Sequence, residues 1–477
     1  MADDNRYDAI RKRHEVQAGK LGMDVDNVTR GQPPPPVRRS PLGMYLLVIA
    51  ILALVAGTAV LLFHGRDAEP DKSPETDAPA GDAVGGEKAV QAKWLVMVYV
   101  DGDNNLDPFA MQNLADMESA GSSDKVKIAV LLDRAAGKEW STARRFLVVK
   151  PAAGGKHSWD PSLKTCQDIG EANMGDPATL SAFVDWATRN YPAEKKMLVL
   201  WNHGGGWREV VAEAVKAAAA AGGTKDAVVA DAAVSMLERG ICWDDSNGGD
   251  FLETREIRQA LESKGKFSII GCDACLMGMV EVAYEWRNLA DFFVASEELE
   301  PGPGWPWAAV LKGLRANPDQ AAETLGAGIV TQFGAYYENR NQVTLSAIRL
   351  SKVEGVAKSL DTVSRLLIRK IKESGKQEQV SLHRPEIAGY PHNSPQFVDV
   401  ESLMQSWEAA DGLGEDWVKA VKDVRTMRAG CVVANYSHPE LGGRGLSIFP
   451  GGRDMQFYNR NVVLFAKDTR WDEMLNL

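Results

Sequence analysis

The sequence predicts an α/β fold in which a mostly parallel sheet is flanked by helices. Three observations carry this. From Lys93 onward, short apolar runs alternate with longer segments of helical spacing, the pattern that βαβ units produce. The runs are nearly uninterrupted, as in strands buried on both faces. Two of them end in chemistry-bearing residues: Met197–Trp201 leads to His203, and Phe267–Gly271 leads to Asp273 and Cys275. In open α/β sheets the ligand crevice lies outside the carboxyl ends of the strands, so two such ends can share one site.

Taken in order, residues 1–41 form a basic, polar tail with a stiff polyproline spacer at Pro33–Pro36. Leu42–Phe63 is essentially all apolar, and at about 1.5 Å per residue it can cross a hydrocarbon core of about 30 Å. A cleaved signal peptide would begin nearer the start and carry a shorter apolar run, so a single transmembrane helix is expected. Arg11, Lys12, Arg13, Lys20, Arg30, Arg38 and Arg39 precede it, while Asp67, Glu69, Asp71, Glu75 and Asp77 follow. The positive-inside rule then leaves the N-terminus cytoplasmic and the large domain periplasmic or extracellular. Residues 64–92, rich in Asp, Glu, Pro, Gly and Ala, read as a disordered tether.

Strands are expected at Trp94–Val100, Val126–Asp133, Phe146–Lys150, Met197–Trp201, Phe267–Gly271, Phe292–Ser296 and Val343–Leu350. Asp107-Pro108 reads as a helix start, with aspartate as N-cap and proline at the first helical position, and Asn317-Pro318 as another. Residues 93–380 form the main domain. Residues 381–477 form a smaller C-terminal unit with strands at Gly430–Asn435 and Gly445–Phe449, whose default role is packing support.

A net charge of −11 over 477 residues, without a basic aromatic surface motif, argues against nucleic acid as a partner. Five cysteines are too few for a disulfide scaffold. Cys166, Cys242, Cys272 and Cys431 read as small core residues, and no second Cys pair faces Cys272-x-x-Cys275 to make a metal site.

Leu276, Met279, Val280, Ala283 and Tyr284 fall at helical spacing, which puts Cys275 in the first turn of a helix, where unpaired N–H groups favour a thiolate. Cys275 is thus the candidate nucleophile and His203 its partner; Cys272, still within the strand, is the decoy. The glycines after His203 let a substrate carbonyl approach the N–H of Gly204, which with the N–H of Cys275 forms the expected oxyanion site.

At this point the chain resembles a known family. Val98-Tyr-Val-Asp-Gly-Asp-Asn-Asn-Leu106, Asn173-Met-Gly-Asp-Pro177, Leu200-Trp-Asn-His-Gly204, Ile241-Cys-Trp-Asp-Asp245, Asp273-Ala-Cys-Leu-Met277, Ala295-Ser-Glu-Glu298 and the ending Phe465-Ala-Lys-Asp-Thr-Arg-Trp-Asp-Glu-Met474 are similar to the clostripain family of cysteine peptidases, in the caspase-like clan. The resemblance covers roughly residues 93–477. It implies a caspase-like peptidase domain, a His203–Cys275 dyad and a pocket in which Asp273 receives a basic P1 side chain; the planar fork of arginine, able to pair a carboxylate through two hydrogen bonds, puts Arg before Lys. It also implies self-cleavage in the alanine-rich insert between the dyad members, where Lys216, Lys225 and Arg239 are the candidate sites. The bland alternative for the insert is a solvated helical excursion.

No cofactor is required by this reading, although the resemblance leaves calcium open. Asp101-x-Asp103-x-Asn105-x-Asp107 has oxygen ligands at alternate positions, yet Leu106 stands where a calcium loop has glycine and Gln112 where it has glutamate. It reads instead as a strand end plus helix cap at the edge of the site. Two other functions remain: a binding or scaffold protein on a peptidase fold that has lost activity, opposed by the intact dyad, and a metal-dependent hydrolase using Asp101, Asp103 and His203.

Overall fold

The computed structural model describes residues 91–207, 240–374, 397–409 and 413–477, the last apart from a few positions between 452 and 462. The expected tail, membrane span and nearly all of the tether lie outside these residues, as do Lys216, Lys225 and Arg239. Among the described residues no helix is long and apolar enough to cross a membrane.

The chain begins with β1 (Ala92–Gly102), α1 (Asp107–Ala120), β2 (Val126–Arg134), β3 (Arg144–Leu147) and β4 (Cys166–Asp168). It continues through α2 (Pro177–Asn190), β5 (Ala193–Trp201), β6 (Ile241–Asp244), β7 (Asp250–Leu252), α3 (Thr254–Leu261), β8 (Phe267–Asp273), α4 (Val280–Glu285) and β9 (Ala290–Ala295). Then come α5 (Trp307–Ala316), α6 (Ala322–Tyr337), β10 (Thr344–Arg349), α7 (Val353–Ser374), β11 (Val398–Asp399), α8 (Val400–Glu408), α9 (Gly414–Cys431), β12 (Val432–Ser437), β13 (Ser447–Ile448), α10 (Leu464–Asp468) and α11 (Trp471–Leu475).

Nine strands form one sheet in the order β12-β10-β9-β8-β5-β1-β2-β3-β4. The central run β2, β1, β5, β8 and β9 is parallel, and the strands outside it are antiparallel. The uninterrupted apolar runs follow from burial on both faces. In β1, Trp94, Val96 and Val98 face the layer of α1, α5 and α6, while Leu95, Met97 and Tyr99 face the layer of α2, α3, α4 and α7. All six are fully buried.

Several expectations are corrected. Residues 274–279 are not the first turn of a helix: Leu276 adopts φ 62°, in the left-handed region, and α4 starts only at Val280. Asp107 is already the first helical residue rather than the cap, and its carboxylate takes Arg134 at 2.8 and 3.0 Å. Gly430 and Cys431 end α9, so the following strand begins at Val432. That strand, β12, joins the edge of the main sheet beside β10. The C-terminal residues, expected as a smaller unit, add Trp417, Leu446, Phe449 and Trp471 to the core shared with α2 and α4.

Candidate active site

Trp201 of β5 and Asp273 of β8 are register partners in adjacent parallel strands. His203 and Cys275, each two residues further on, therefore leave the sheet side by side at its carboxyl edge. The approach is close. A Cβ added at Gly204 would lie 2.4 Å from the Cys275 carbonyl oxygen, so only glycine lets these two segments touch. The glycine expected to admit a substrate thus first admits the backbone of Cys275.

His203 is held from the β1–α1 loop. Its Nε2 lies 2.7 Å from Asn105 Oδ1, which can only accept; Nε2 therefore carries the proton and Nδ1 is the basic atom. Asn202 anchors the preceding residue by donating to the Asp101 carbonyl at 2.6 Å and accepting from Trp243 N at 3.1 Å. His203 is half-buried, and loss of water around the ring lowers it to about 4, so the imidazole is uncharged at neutral pH.

Cys275 is 6% exposed. Its Sγ accepts from the Glu300 N–H at 3.3 Å and lies 3.7 Å from the Glu300 carbonyl oxygen. Burial pushes the thiol up to about 12, against the lowering expected from a helix terminus that is not there. The resting pair is thus neutral on both sides, and the bonds of His203 and Cys275 run to Asn105 and Glu300 rather than to each other.

Asp273 and Glu300 line the same cleft as His203 and Cys275, which has a free volume of about 30 Å³. That holds a water molecule but not an arginine side chain. Asp273 accepts from Trp305 N at 3.0 and 3.1 Å and from Trp307 Nε1 at 2.9 Å. Burial pushes it up to about 7 despite these donors. Glu300 is 6% exposed, and neither of its carboxyl oxygens makes a hydrogen bond of good geometry. Burial and then the charge of Asp273 raise it well above the usual carboxylate range. The sequence reading missed Glu300; its one signal was the loop chemistry of Glu300-Pro-Gly-Pro-Gly-Trp305, which returns the chain over the strand ends.

Comparison with known proteins agrees with this geometry. The model of the clostripain family matches residues 98–223 and 224–476. The chain belongs to the clostripain family. It is a cysteine endopeptidase. It is 26% identical to clostripain of Hathewaya histolytica, with 76% of each chain covered. The fold is similar to that of a secreted C11 cysteine protease from Bacteroides thetaiotaomicron bound to an irreversible peptide inhibitor (TM-score 0.56, 20% identity, 80% of this chain and 99% of the other). It is also similar to an inactive zymogen C11 protease from Parabacteroides distasonis (TM-score 0.53, 19% identity, 81% and 99%).

The remaining candidates of the peptidase separate from the cleft. Cys272 is fully buried within β8, on the sheet face opposite Asp273. All five cysteines are free and buried. Along the Asp101–Asp107 segment the polar side chains are engaged separately. Asp101 Oδ1 accepts from Asp103 N at 3.2 Å, Asn104 donates to the Trp243 carbonyl at 2.7 Å, Asn105 holds His203 and Asp107 holds Arg134. The segment does not close on an ion by itself, and His203 turns to Asn105 rather than to Asp101 or Asp103, which removes the geometry of the metal-hydrolase reading. Asp103 instead joins Asp133, Glu171 and Asp244 in a carboxylate cluster on the far side of that loop.

Proposed function

We propose that this peptidase cleaves after basic residues, arginine before lysine, with Cys275 as nucleophile and His203 as its base. The observation that carries the reading is the pairing of Trp201 with Asp273, since it sets a thiol, an imidazole and two buried carboxyl groups around one cleft. In the reaction, Nδ1 of His203 takes the thiol proton as Sγ of Cys275 bonds to the scissile carbonyl carbon. The N–H groups of Gly204 and Cys275 receive the oxyanion. The imidazolium returns its proton to the leaving amine, and water then hydrolyses the thioester, restoring the thiol. Asp273, its carboxyl fixed by Trp305 and Trp307, and Glu300, without a well-aligned donor, are the anionic groups available to a guanidinium.

The closed cleft means that the Glu298–Gly304 segment moves before substrate enters. Self-cleavage after Lys216, Lys225 or Arg239 belongs to the same reading, with Lys216-Ala217 preferred because alanine adds little bulk. So does the anchor: residues 42–63 as a single span, with the peptidase domain outside the cytoplasm. Protease added to intact spheroplasts should then digest the peptidase domain, and digestion confined to residues 1–40 would reverse the orientation.

The deciding experiment compares substrates with P1 Arg, Lys, Leu and Asp on the wild type and on Asp273→Asn. Arg and Lys substrates should be cleaved well and lost on substitution, whereas equal cleavage of Arg and Leu would end the basic-pocket reading. No cleavage of any substrate, together with no thiol labelling, would leave the scaffold alternative.

A further inference from the structure

The segment that covers Cys275, Glu300-Pro-Gly-Pro-Gly-Trp305, cannot brace itself. Pro301 and Pro303 carry no N–H, so no strand or helix ladder can run through it, and its carbonyls depend on donors brought from elsewhere. Within the segment, the Gly304 N–H donates to the Pro301 carbonyl at 2.8 Å and makes one turn. The carbonyls of Pro303 and Gly304 are taken by side chains of two helices.

Asn113 stands in the middle of α1, where asparagine is a poor helix former, and is 1% exposed. Its Nδ2 donates to the Pro303 carbonyl at 2.8 Å, and its Oδ1 accepts from Trp201 Nε1 at 2.8 Å. An indole N–H only donates and a carbonyl only accepts, so the amide has one orientation. It joins the end of β5, two residues before His203, to the segment that lies over Cys275. Phe109, one turn earlier on the same face of α1, meets Gly302. From the end of α6, the buried Tyr337 donates its hydroxyl to the Gly304 carbonyl at 2.8 Å. With Trp305 N on Asp273, three consecutive residues are each held by a side chain. On the other side of Pro303 the hold is slighter, since the Glu300 N–H meets a sulfur at 3.3 Å.

We infer that Asn113 and Tyr337 are positioning residues that fix Pro303 and Gly304 as the pivot of the covering segment, so that Glu300 leaves Cys275 and comes to rest beside Asp273 from one set point. Neither acts on the reacting atoms: both bonds run to the covering segment. A guanidinium needs its acceptors at a fixed spacing, whereas an apolar P1 side chain does not, so a loosened pivot costs binding of the first more than of the second. This last step rests on the basic-P1 reading; the pivot itself does not.

The test uses the purified full-length protein and its Asn113→Ala and Tyr337→Phe variants, labelled with iodoacetamide below the melting temperature and mapped by mass spectrometry. All five cysteines are buried, so unfolding would label them together, whereas a loosened pivot exposes Cys275 alone. Cys275 should label about threefold or more faster in each variant than in the wild type, with the other four unchanged. In peptide assays KM for the P1 Arg substrate should rise about fivefold or more with kcat within about threefold, while KM for P1 Leu changes little. Tyr337→Phe removes one hydroxyl and keeps the ring, so it decides if Asn113→Ala fails to fold. An unchanged Cys275 rate in Tyr337→Phe, labelling of all five cysteines together, or equal rises in KM for Arg and Leu would each overturn the inference. A wild type that cleaves Arg and Leu equally would instead defeat the basic-P1 reading, and the pivot would stand or fall on the labelling rate of Cys275.

Discussion

The N–H of Glu300 donates to Sγ of Cys275 at 3.3 Å, so the segment that carries the unpartnered acid of the cleft also covers the thiol. Access to Cys275 is then set by the hold of residues 298–304. Gly302 lies against the Phe109 ring, where a Cβ would come 2.6 Å from Cε2. Gly302→Ala should wedge this segment outward and speed alkylation of Cys275 by about tenfold or more over the resting wild type. Equal alkylation rates would show that the segment does not govern access.

Cys275→Ala should cost several orders of magnitude in kcat, since the thiol and imidazole act as one unit. Cys272→Ala should keep most activity and lose only ~1 kcal/mol of stability, as expected for a small truncation inside β8. In the same preparations the wild type should nick after Lys216, Lys225 or Arg239, and Cys275→Ala should stay whole. A nicked Cys275→Ala would trace the cut to another protease, and an active but unnicked wild type would remove self-cleavage as a requirement for activity.

The meeting of His203 and Cys275 at one sheet edge was legible in the sequence because each follows a continuous apolar run, and a strand buried on both faces admits little ambiguity about where it stops. The helix drawn from Leu276 was not, because periodicity does not register the left-handed backbone of Leu276 that delays α4 to Val280. Glu300 reaches the cleft through a loop, and loops carry no periodic signal. Asp103, Asp133, Glu171 and Asp244 come together only when β1, β2, β6 and the loop after β4 are in place, so their meeting leaves no pattern along the Asp101–Asp107 segment.

Among the described residues, Asn105 makes the one ring hydrogen bond of His203. Asn105→Ala should lower kcat by roughly 10²-fold while KM changes little, since it orients the base and touches no substrate. Asn105→Asp should instead raise the pKa of the imidazole, because a carboxylate 2.7 Å from Nε2 favours the charged ring. The acid limb of the kcat profile should move upward accordingly. An unmoved limb with full activity in both variants would show that Asn105 does not position His203.

The last expectation concerns pH and charge in the cleft. Burial holds Asp273 up to about 7 and also raises Glu300 well above the usual carboxylate range, so below neutrality Asp273 carries little charge and offers a guanidinium a neutral acceptor. Preference for P1 Arg over P1 Leu should therefore grow as pH rises through about 7, by up to about tenfold per pH unit for one ionisation, and the two carboxyls should titrate as a coupled pair. For stability the sign is opposite. A carboxyl whose folded pKa is raised binds its proton more tightly in the folded state, so its stabilising contribution is full below about 4 and is lost as pH rises through about 7. Asp273→Asn should flatten both curves together: the Arg-to-Leu ratio becomes nearly independent of pH, and the unfolding free energy falls less between pH 4 and 8. Were the ratio to keep its rise in Asp273→Asn and lose it in Glu300→Gln, Glu300 alone would be the group that reads the substrate's charge.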